Sequence, residues 1–233
     1  MEIRLKKKVK NPIIIEGFPG YGLIGTLVTE FLIKHLDAKQ IGRIRLYEVP
    51  PLVAIHDGKV VEPLGIFYDE KRNVVILHAL SSASGLEWKI ADIILKLSKE
   101  LSAKEIISIE GVGSQSMIPD STVYFYGKNS ALENSGIKKL NEGIIVGVTG
   151  ALLLKDEGEV PLTCVFAETH STLPDSKAAA KVIEVVAKYL GVKVDIKPMI
   201  ARAKEFEDKI KNIINRVQET QEVQEKKKPS YFG

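Results

Sequence analysis

The sequence predicts an α/β fold, a three-layer α/β/α sandwich built around a mixed sheet. Short runs rich in valine and isoleucine alternate with amphipathic helical runs through most of the 233 residues. Several of these runs are continuously apolar, as expected of strands that are buried on both faces. The polar segment 69–73 (Asp-Glu-Lys-Arg-Asn) joins two of them, which predicts at least one antiparallel hairpin in the sheet.

Each predicted element rests on its own local pattern. The predicted strands cover 12–16, 43–49, 52–55, 65–69, 73–80, 105–110, 122–126, 143–148 and 161–168. The predicted helices cover 24–36, 86–101, 175–190 and 198–224. Asp175 is placed to cap the third helix, since its carboxylate can accept hydrogen bonds from the first helical turn, and Gly191 is placed to end that helix.

The last predicted helix differs from the others because its apolar residues form one narrow stripe. They recur with 3-4-3-4 spacing, at Ala203, Phe206, Ile210, Ile213 and Val217. A helix over 198–224 would be about 40 Å long. The stripe suits either packing onto the sandwich or gripping a neighbouring subunit in coiled-coil fashion. We therefore divide the chain into a sandwich domain (1–197), a helical extension (198–225) and a flexible tail (226–233) with an aromatic end.

Composition argues against several classes of protein. The 33 Lys and Arg residues nearly balance the 30 Asp and Glu residues, so nothing calls for nucleic acid or an anionic membrane as partner. No run of about 18 apolar residues could span a bilayer, and Glu16 interrupts the only signal-like stretch. The single cysteine, Cys164, fits a reducing compartment. We expect a cytoplasmic protein, and the abundance of Lys and Glu is typical of a thermophilic source.

A glycine-rich turn offers the strongest motif for a ligand. Gly20, Gly22 and Gly25 have the G-x-G-x-x-G spacing of a dinucleotide-binding turn, between a predicted strand and a predicted helix. Glu48 ends the next predicted strand, where such proteins place an acid for the ribose, but it comes 28 residues after Gly20 instead of about 20. The alternative is a tight joint in which glycines permit close helix–sheet packing.

Other chemistry rests on acidic and histidine side chains at predicted strand ends. Glu110 and Glu168 could act as an acid/base pair if their strands are adjacent, with His78 as a further candidate in a hydrolase- or phosphorylase-like enzyme. The more common role of such residues is to cap loops and helix starts. The four histidines show no metal-binding spacing, and no nucleophile elbow or Walker lysine is present. We therefore predict no catalytic residue, no cofactor and no metal.

Four stretches taken together are more specific than any single motif. They are IIIEGFPGYGLIGTLVTEFLIKHL, EVPPLVAIHDG, VGVTGALLL and VFAETHSTLPDSKAAAKVIEVVAKYLG. In this order they closely resemble the proteasome assembly chaperone family, and the likeness to an archaeal homologue spans roughly residues 10–215. The resemblance implies a fold like that of nucleoside phosphorylases and a protein without enzymatic activity. It also implies that the glycine turn is a structural joint between strand and helix. The implied partners are proteasome α subunits or a related chaperone chain. The long apolar stripe of the last predicted helix further predicts that the protein forms a homo-oligomer.

The final residues resemble the docking end of some archaeal members of that family. That end has a hydrophobic residue, a tyrosine and any last residue, and it inserts between adjacent α subunits. Here Tyr231 takes the hydrophobic place, Phe232 takes the tyrosine place and Gly233 carries the terminal carboxylate. Exposed aromatic rings suit a pocket, and the carboxylate suits a lysine. Because Phe232 lacks the hydroxyl, we expect docking weaker by about 1 kcal/mol, or engagement of another chaperone subunit.

Overall fold

The computed structural model describes residues 2–201 except positions 50, 52, 57, 82–83, 114–121 and 170–171, and also residue 212. Within these residues a nine-stranded sheet runs in the order β1-β3-β6-β7-β2-β8-β11-β9-β10, beside a separate hairpin of β4 and β5. The strands are β1 (Glu2–Leu5), β2 (Ile13–Gly17), β3 (Lys39–Arg45), β4 (Ala54–His56), β5 (Lys59–Val61), β6 (Leu64–Asp69), β7 (Val74–Ala79), β8 (Glu105–Gly113), β9 (Val123–Tyr126), β10 (Lys138–Lys139) and β11 (Leu162–Thr169).

The centre of the sheet is parallel and its flanks are largely antiparallel. Strands β7, β2, β8 and β11 run parallel to one another. The hairpin predicted at the polar segment 69–73 is present, since β6 and β7 pair antiparallel on either side of it. Almost every residue of β7, β8 and β11 is buried, which explains why these strands read as continuous apolar runs.

Helices pack on both faces of this sheet. They are α1 (Ile24–His35), α2 (Glu87–Glu100), α3 (Ser130–Asn134), α4 (Gly147–Lys155), α5 (Ser176–Tyr189) and α6 (Lys197–Ala201). Alternate strand residues belong to two separate cores: Ile14 lies in the core with α2 and α4, whereas Ile15 lies in the core with α1 and α5. The predicted cap is confirmed, because the Asp175 carboxylate accepts the Ala178 N–H at 3.0 Å.

One predicted strand is wrong. Residues 143–148 do not form a strand, and Gly147 begins helix α4 instead. The β-branched residues before it misled the prediction, since Ile144 is 89% exposed and packs in neither core. Thr149 and Leu152, three residues apart, are buried and hold the helix against the sheet.

Several other boundaries differ from the prediction at the edges of the sheet. Strand β3 begins four residues earlier than the predicted strand 43–49, because it pairs with β6 across an irregularity between Gln40 and Gly42. Strand β4 lies at Ala54–His56 and so overlaps the second half of the predicted strand 52–55. The short elements β1, β5, α3 and β10 were not predicted, since two to five residues carry little periodicity.

The mixed α/β fold is therefore confirmed, while parts of the prediction remain untested. Of the predicted helix 198–224, the described residues show α6, which begins at Lys197, and a helical, exposed Asn212. The rest of that helix and the tail lie outside the described residues, and the division of the chain at residues 197 and 225 stays a prediction. No helix in the described part of the chain is long and apolar enough to cross a membrane.

Candidate functional site at the glycine turn

The glycine turn links β2 to α1 through a short 3-10 turn, Tyr21–Leu23. Gly17 and Gly25 bring strand and helix into close contact, because a Cβ on Gly25 would lie 2.6 Å from the carbonyl oxygen of Ile109 and 2.8 Å from the Cα of Gly17. Gly22 has a positive φ of 64° and its carbonyl accepts the Asp175 N–H at 3.0 Å. The turn is thus packed against β8 and the start of α5.

The carboxyl group of Glu110 fills the space above the turn. Its Oε1 accepts the backbone N–H of Tyr21 at 3.2 Å and that of Gly111 at 2.9 Å. A Cβ on Gly20 would lie 2.5 Å from Oε2 and 2.6 Å from Cδ of this carboxyl. In a dinucleotide site the N–H groups of this turn would face a phosphate, but here the chain supplies its own acceptor.

Glu110 and Glu16 form a pair of buried acids on the same side of the sheet. Burial raises the pKa of Glu110 to about 8, and the nearby Glu16 carboxyl adds to that rise. Burial likewise raises the pKa of Glu16 to about 7. Both side chains are at most 4% exposed. Acids with these pKa values suit proton transfer near neutral pH, but neither is open to solvent.

Glu16 belongs to a network that connects β2, β8 and α4. The Ser108 hydroxyl is hydrogen-bonded to Oε1 of Glu16 and lies 2.8 Å from the Thr149 hydroxyl oxygen. The Glu16 Oε2 atom is buried and has no hydrogen-bond partner among the residues that the structure describes. Sequence reasoning missed this network, although an acid within the apolar run Ile-Ile-Ile-Glu-Gly was a visible signal.

The structure does not bring the three proposed catalytic side chains together. Strands β8 and β11 are adjacent, as the acid/base hypothesis required, but Glu168 accepts from the Thr122 N–H at 3.2 Å and from the Tyr124 hydroxyl at 3.4 Å. His78 lies on the other face, against α1, with its Nδ1 2.8 Å from the Thr29 hydroxyl and its Nε2 3.3 Å from a Glu30 carboxylate oxygen. Burial lowers the pKa of His78 to about 4.

The other residues singled out in the sequence do not add to a ligand site at the glycine turn. Glu48 forms an ion pair with Lys89 at 3.3 Å instead of standing free beside the turn. In the described part of the chain no group of three or more His, Cys, Asp or Glu residues could hold a metal ion. Cys164 is buried. The predicted docking residues Tyr231, Phe232 and Gly233 lie outside the described residues.

The protein is a mixed α/β protein whose glycine turn is closed by the carboxyl of Glu110. Its family is shown by comparison with known families. The model of the PAC2 family matches residues 14–214. The chain belongs to the PAC2 family.

Known structures and relatives extend this assignment. The chain is similar to Pyrococcus furiosus PbaA, an archaeal homologue of proteasome-assembly chaperone, with 30% identity and a TM-score of 0.84 over 94% of this chain and 99% of that one. It shares its fold with Pyrococcus furiosus PbaB, an archaeal proteasome activator, with 24% identity and a TM-score of 0.74 over 91% and 98% of the two chains. The protein MJ1210 of Methanocaldococcus jannaschii is 28% identical over 95% of this chain and 90% of its own.

Proposed function

We propose that this protein is a non-enzymatic chaperone that assists assembly of the 20S proteasome by binding its α subunits or a related chaperone chain. The observation that carries the proposal is the likeness to PbaA over nearly the full length of both chains. The family itself is established by the match over residues 14–214.

The geometry of the glycine turn supports a role without chemistry. Glu110 is engaged by two backbone N–H groups and is sealed from solvent, so it fits a structural acceptor better than a general acid. Glu168 and His78 are committed to separate partners on opposite faces. A dinucleotide would have to displace the Glu110 carboxyl before its phosphates could reach the Tyr21 N–H.

Several finer features belong to the same proposal. The helices on both faces fit a three-layer α/β/α sandwich of the nucleoside-phosphorylase type. The predicted stripe along 198–224 fits a homo-oligomer, and the single, buried cysteine, Cys164, fits the reducing cytoplasm. The end Tyr231-Phe232-Gly233 would dock into a pocket between neighbouring subunits of the partner ring, with Gly233 presenting the terminal carboxylate to a basic group.

The deciding experiment is a pull-down of purified proteasome α subunits, read by native mass spectrometry. The full-length protein is compared with a version that ends at Lys228 and with a full-length Tyr231→Ala/Phe232→Ala variant, which keeps the tail but removes its rings. We expect the full-length protein to capture α subunits and both altered proteins to lose most of that capture.

Other outcomes would change the proposal in defined ways. Equal binding by all three proteins would place recognition on the folded domain and remove the role of the tail. If none binds α subunits or a partner chaperone chain, the chaperone proposal fails.

A further inference from the structure

Helix α4 is apolar on its outward side, which is unusual for a helix that lies on the outside of a sheet. Its sequence, Gly-Val-Thr-Gly-Ala-Leu-Leu-Leu-Lys, has one charged residue, Lys155 at its end. A surface helix normally turns a polar face to solvent, and a helix that is apolar all round is normally covered on every side. Val148 and Leu152 belong to the core with α2, whereas Leu154 is 75% exposed. The outward side of α4 therefore lacks the polar face of an ordinary surface helix.

Apolar side chains continue this surface on both sides of α4. Just before the helix, Ile145 packs against the core, while Ile144 and Val146 on either side of it are exposed. Beside the helix, Trp88 in the first turn of α2 is 52% exposed, and the Lys155 ammonium lies 5.6 Å from the centroid of its ring. The exposed apolar residues of this surface, named the α2–α4 face below, are Trp88, Ile144, Val146 and Leu154.

The helices on the other side of the sheet have no such surface. All residues of α1 and α5 are described, and neither helix exposes a large apolar side chain. Outward positions of α5 are charged instead, at Lys177, Glu184 and Lys188. Because apolar patches rimmed by polar residues mark interaction sites, the α2–α4 face is a candidate interface.

The charged residues around the α2–α4 face neutralise one another within the chain. Their ion pairs are Lys89–Glu48, Asp92–Lys155, Lys96–Glu100 and Lys99–Glu159. Two such faces therefore meet without like-charge repulsion. The amino edge of the sheet is different, because Lys6, Lys8 and Lys10 have no ion-pair partner among the described residues. Two copies joined at that edge would bring like charges together.

The α2–α4 face is large enough for a specific contact between proteins. Helix α2 has 14 residues and is about 21 Å long. Since packed helices lie about 8–10 Å apart, α2, α4 and the segment 143–146 together are about 30 Å wide. The resulting area of roughly 600 Å² reaches the lower end of the roughly 600–1,000 Å² that each partner buries in a specific interface. Interfaces between identical copies are also the more apolar ones.

We propose that the α2–α4 face is a contact between two copies of this chain that are related by a two-fold axis. In a two-fold contact the same surface lies on both sides, which suits an apolar face whose ion pairs are closed within one chain. Trp88 and Leu154 would form its centre. The contact lies on a different surface from the predicted stripe along 198–224 and does not rest on the chaperone proposal.

A charge placed on the α2–α4 face should separate the copies. Leu154→Glu and Ile144→Glu alter exposed positions, so the fold should persist, which urea unfolding checks. We expect each variant to raise the Kd of the pair by roughly 30-fold or more. Sedimentation velocity should then show half the mass at a concentration at which the natural protein is paired. Ile55→Glu is the matched control and should leave the mass unchanged, since Ile55 of β4 is also 75% exposed but lies outside the face.

Trp88 supplies an independent readout, because it is the only tryptophan of the chain. In the paired protein its ring should be shielded from acrylamide, and either dilution or Leu154→Glu should increase the quenching of its fluorescence. Ile55→Glu should not change the quenching. This measurement distinguishes loss of the contact at the α2–α4 face from dissociation at a distant surface.

Three outcomes would overturn the proposal. The first is equal mass and equal quenching for the natural protein and Leu154→Glu at every concentration. The second is a natural assembly with an odd number of copies that Leu154→Glu breaks apart, because the face would then contact a different surface. The third is a monomeric natural protein that loses capture of α subunits on Leu154→Glu, which would assign the face to that partner. Capture by the natural protein is measured separately, so failure of this contact is distinguishable from failure of the chaperone proposal.

Discussion

Gly20 is in direct contact with the carboxyl of Glu110, which lies far from it in sequence. The next residue, Tyr21, donates its backbone N–H to the same carboxyl across a separation of 89 residues. The Glu110 carboxyl occupies the volume in which any side chain at position 20 would begin, with Oε2 only 2.5 Å from the place of a Cβ. The glycine pattern that suggests a nucleotide therefore has a structural cause within the protein, since the turn is shaped around an acid of the same chain.

Substituting Gly20 by alanine should destabilise the fold by steric conflict. The backbone at Gly20 is extended (φ −145°, ψ −151°), a conformation open to alanine, so the expected loss of roughly 1–3 kcal/mol comes from the crowded Cβ. Urea unfolding measures it. Gly113→Ala is the matched control, because its Cβ would meet Tyr21 at an ordinary 3.8 Å. A Gly20→Ala variant as stable as Gly113→Ala would contradict this contact.

Substituting Glu110 by glutamine should change stability little at pH 7. With its pKa raised to about 8, the carboxyl is mostly protonated there, and an amide can still accept the Tyr21 and Gly111 N–H groups. Glu110→Ala leaves these donors without their partner and should cost roughly 1–3 kcal/mol. If glutamine is as damaging as alanine in urea unfolding, an ionised carboxylate is required at the turn. Capture of α subunits by Glu110→Gln should be unchanged, whereas an enzyme that used this acid would lose turnover.

The stability of the protein should fall as the pH rises from 6.5 to 8.5. Glu16 and Glu110 have pKa values of about 7 and about 8 in the folded protein, against an ordinary 4.5, so the folded state binds more protons than the unfolded state in this window. We expect the free energy of unfolding to drop by roughly 2–3 kcal/mol.

Two features make the pH experiment specific. The lowered pKa of His78 acts with the opposite sign, but mainly between about pH 4 and 6.5, so its contribution in the chosen window is small. Glu110→Gln should remove most of the slope between pH 6.5 and 8.5, and Glu16→Gln a smaller part. An unchanged slope in both variants would mean that these carboxyls ionise normally in the folded protein.

The three central helices could be predicted from sequence almost to the residue. Helix α1 was expected at 24–36 and lies at Ile24–His35, and α5 was expected at 175–190 and lies at Ser176–Tyr189, because each carries a clear apolar period and an end signal. The prediction was wrong at helix α4. Ile144 and Val146 favour a strand locally, but the burial of Thr149 and Leu152 against the sheet stabilises a helix there.

The site was less accessible to sequence reasoning because its contacts are long-range. Glu110 was recognised as a residue at a strand end, with capping as one of its two interpretations, but its position over Gly20 depends on β2 and β8 lying side by side. The hydrogen bond between Ser108 and Glu16 spans 92 residues and follows from the register of the same two strands. Strand order is not encoded in a local pattern, and β2 and β8 are buried on both faces, so they lack the alternation of apolar and polar residues that would fix their register.

Introducing a tyrosine at position 232 should strengthen docking of the tail, if the tail binds the α-ring as proposed. Phe232→Tyr adds the hydroxyl that the resembling docking ends carry, and one hydrogen bond of about 1 kcal/mol corresponds to a roughly fivefold lower Kd. The Kd for assembled α-rings, measured by surface plasmon resonance, checks the effect. Tyr231→Phe is the control, because the hydrophobic place needs no hydroxyl and its Kd should stay within about twofold of the unmodified protein. A Phe232→Tyr protein that binds no better than the natural one would mean that the aromatic end does not enter that pocket, and binding should then be sought on the folded domain.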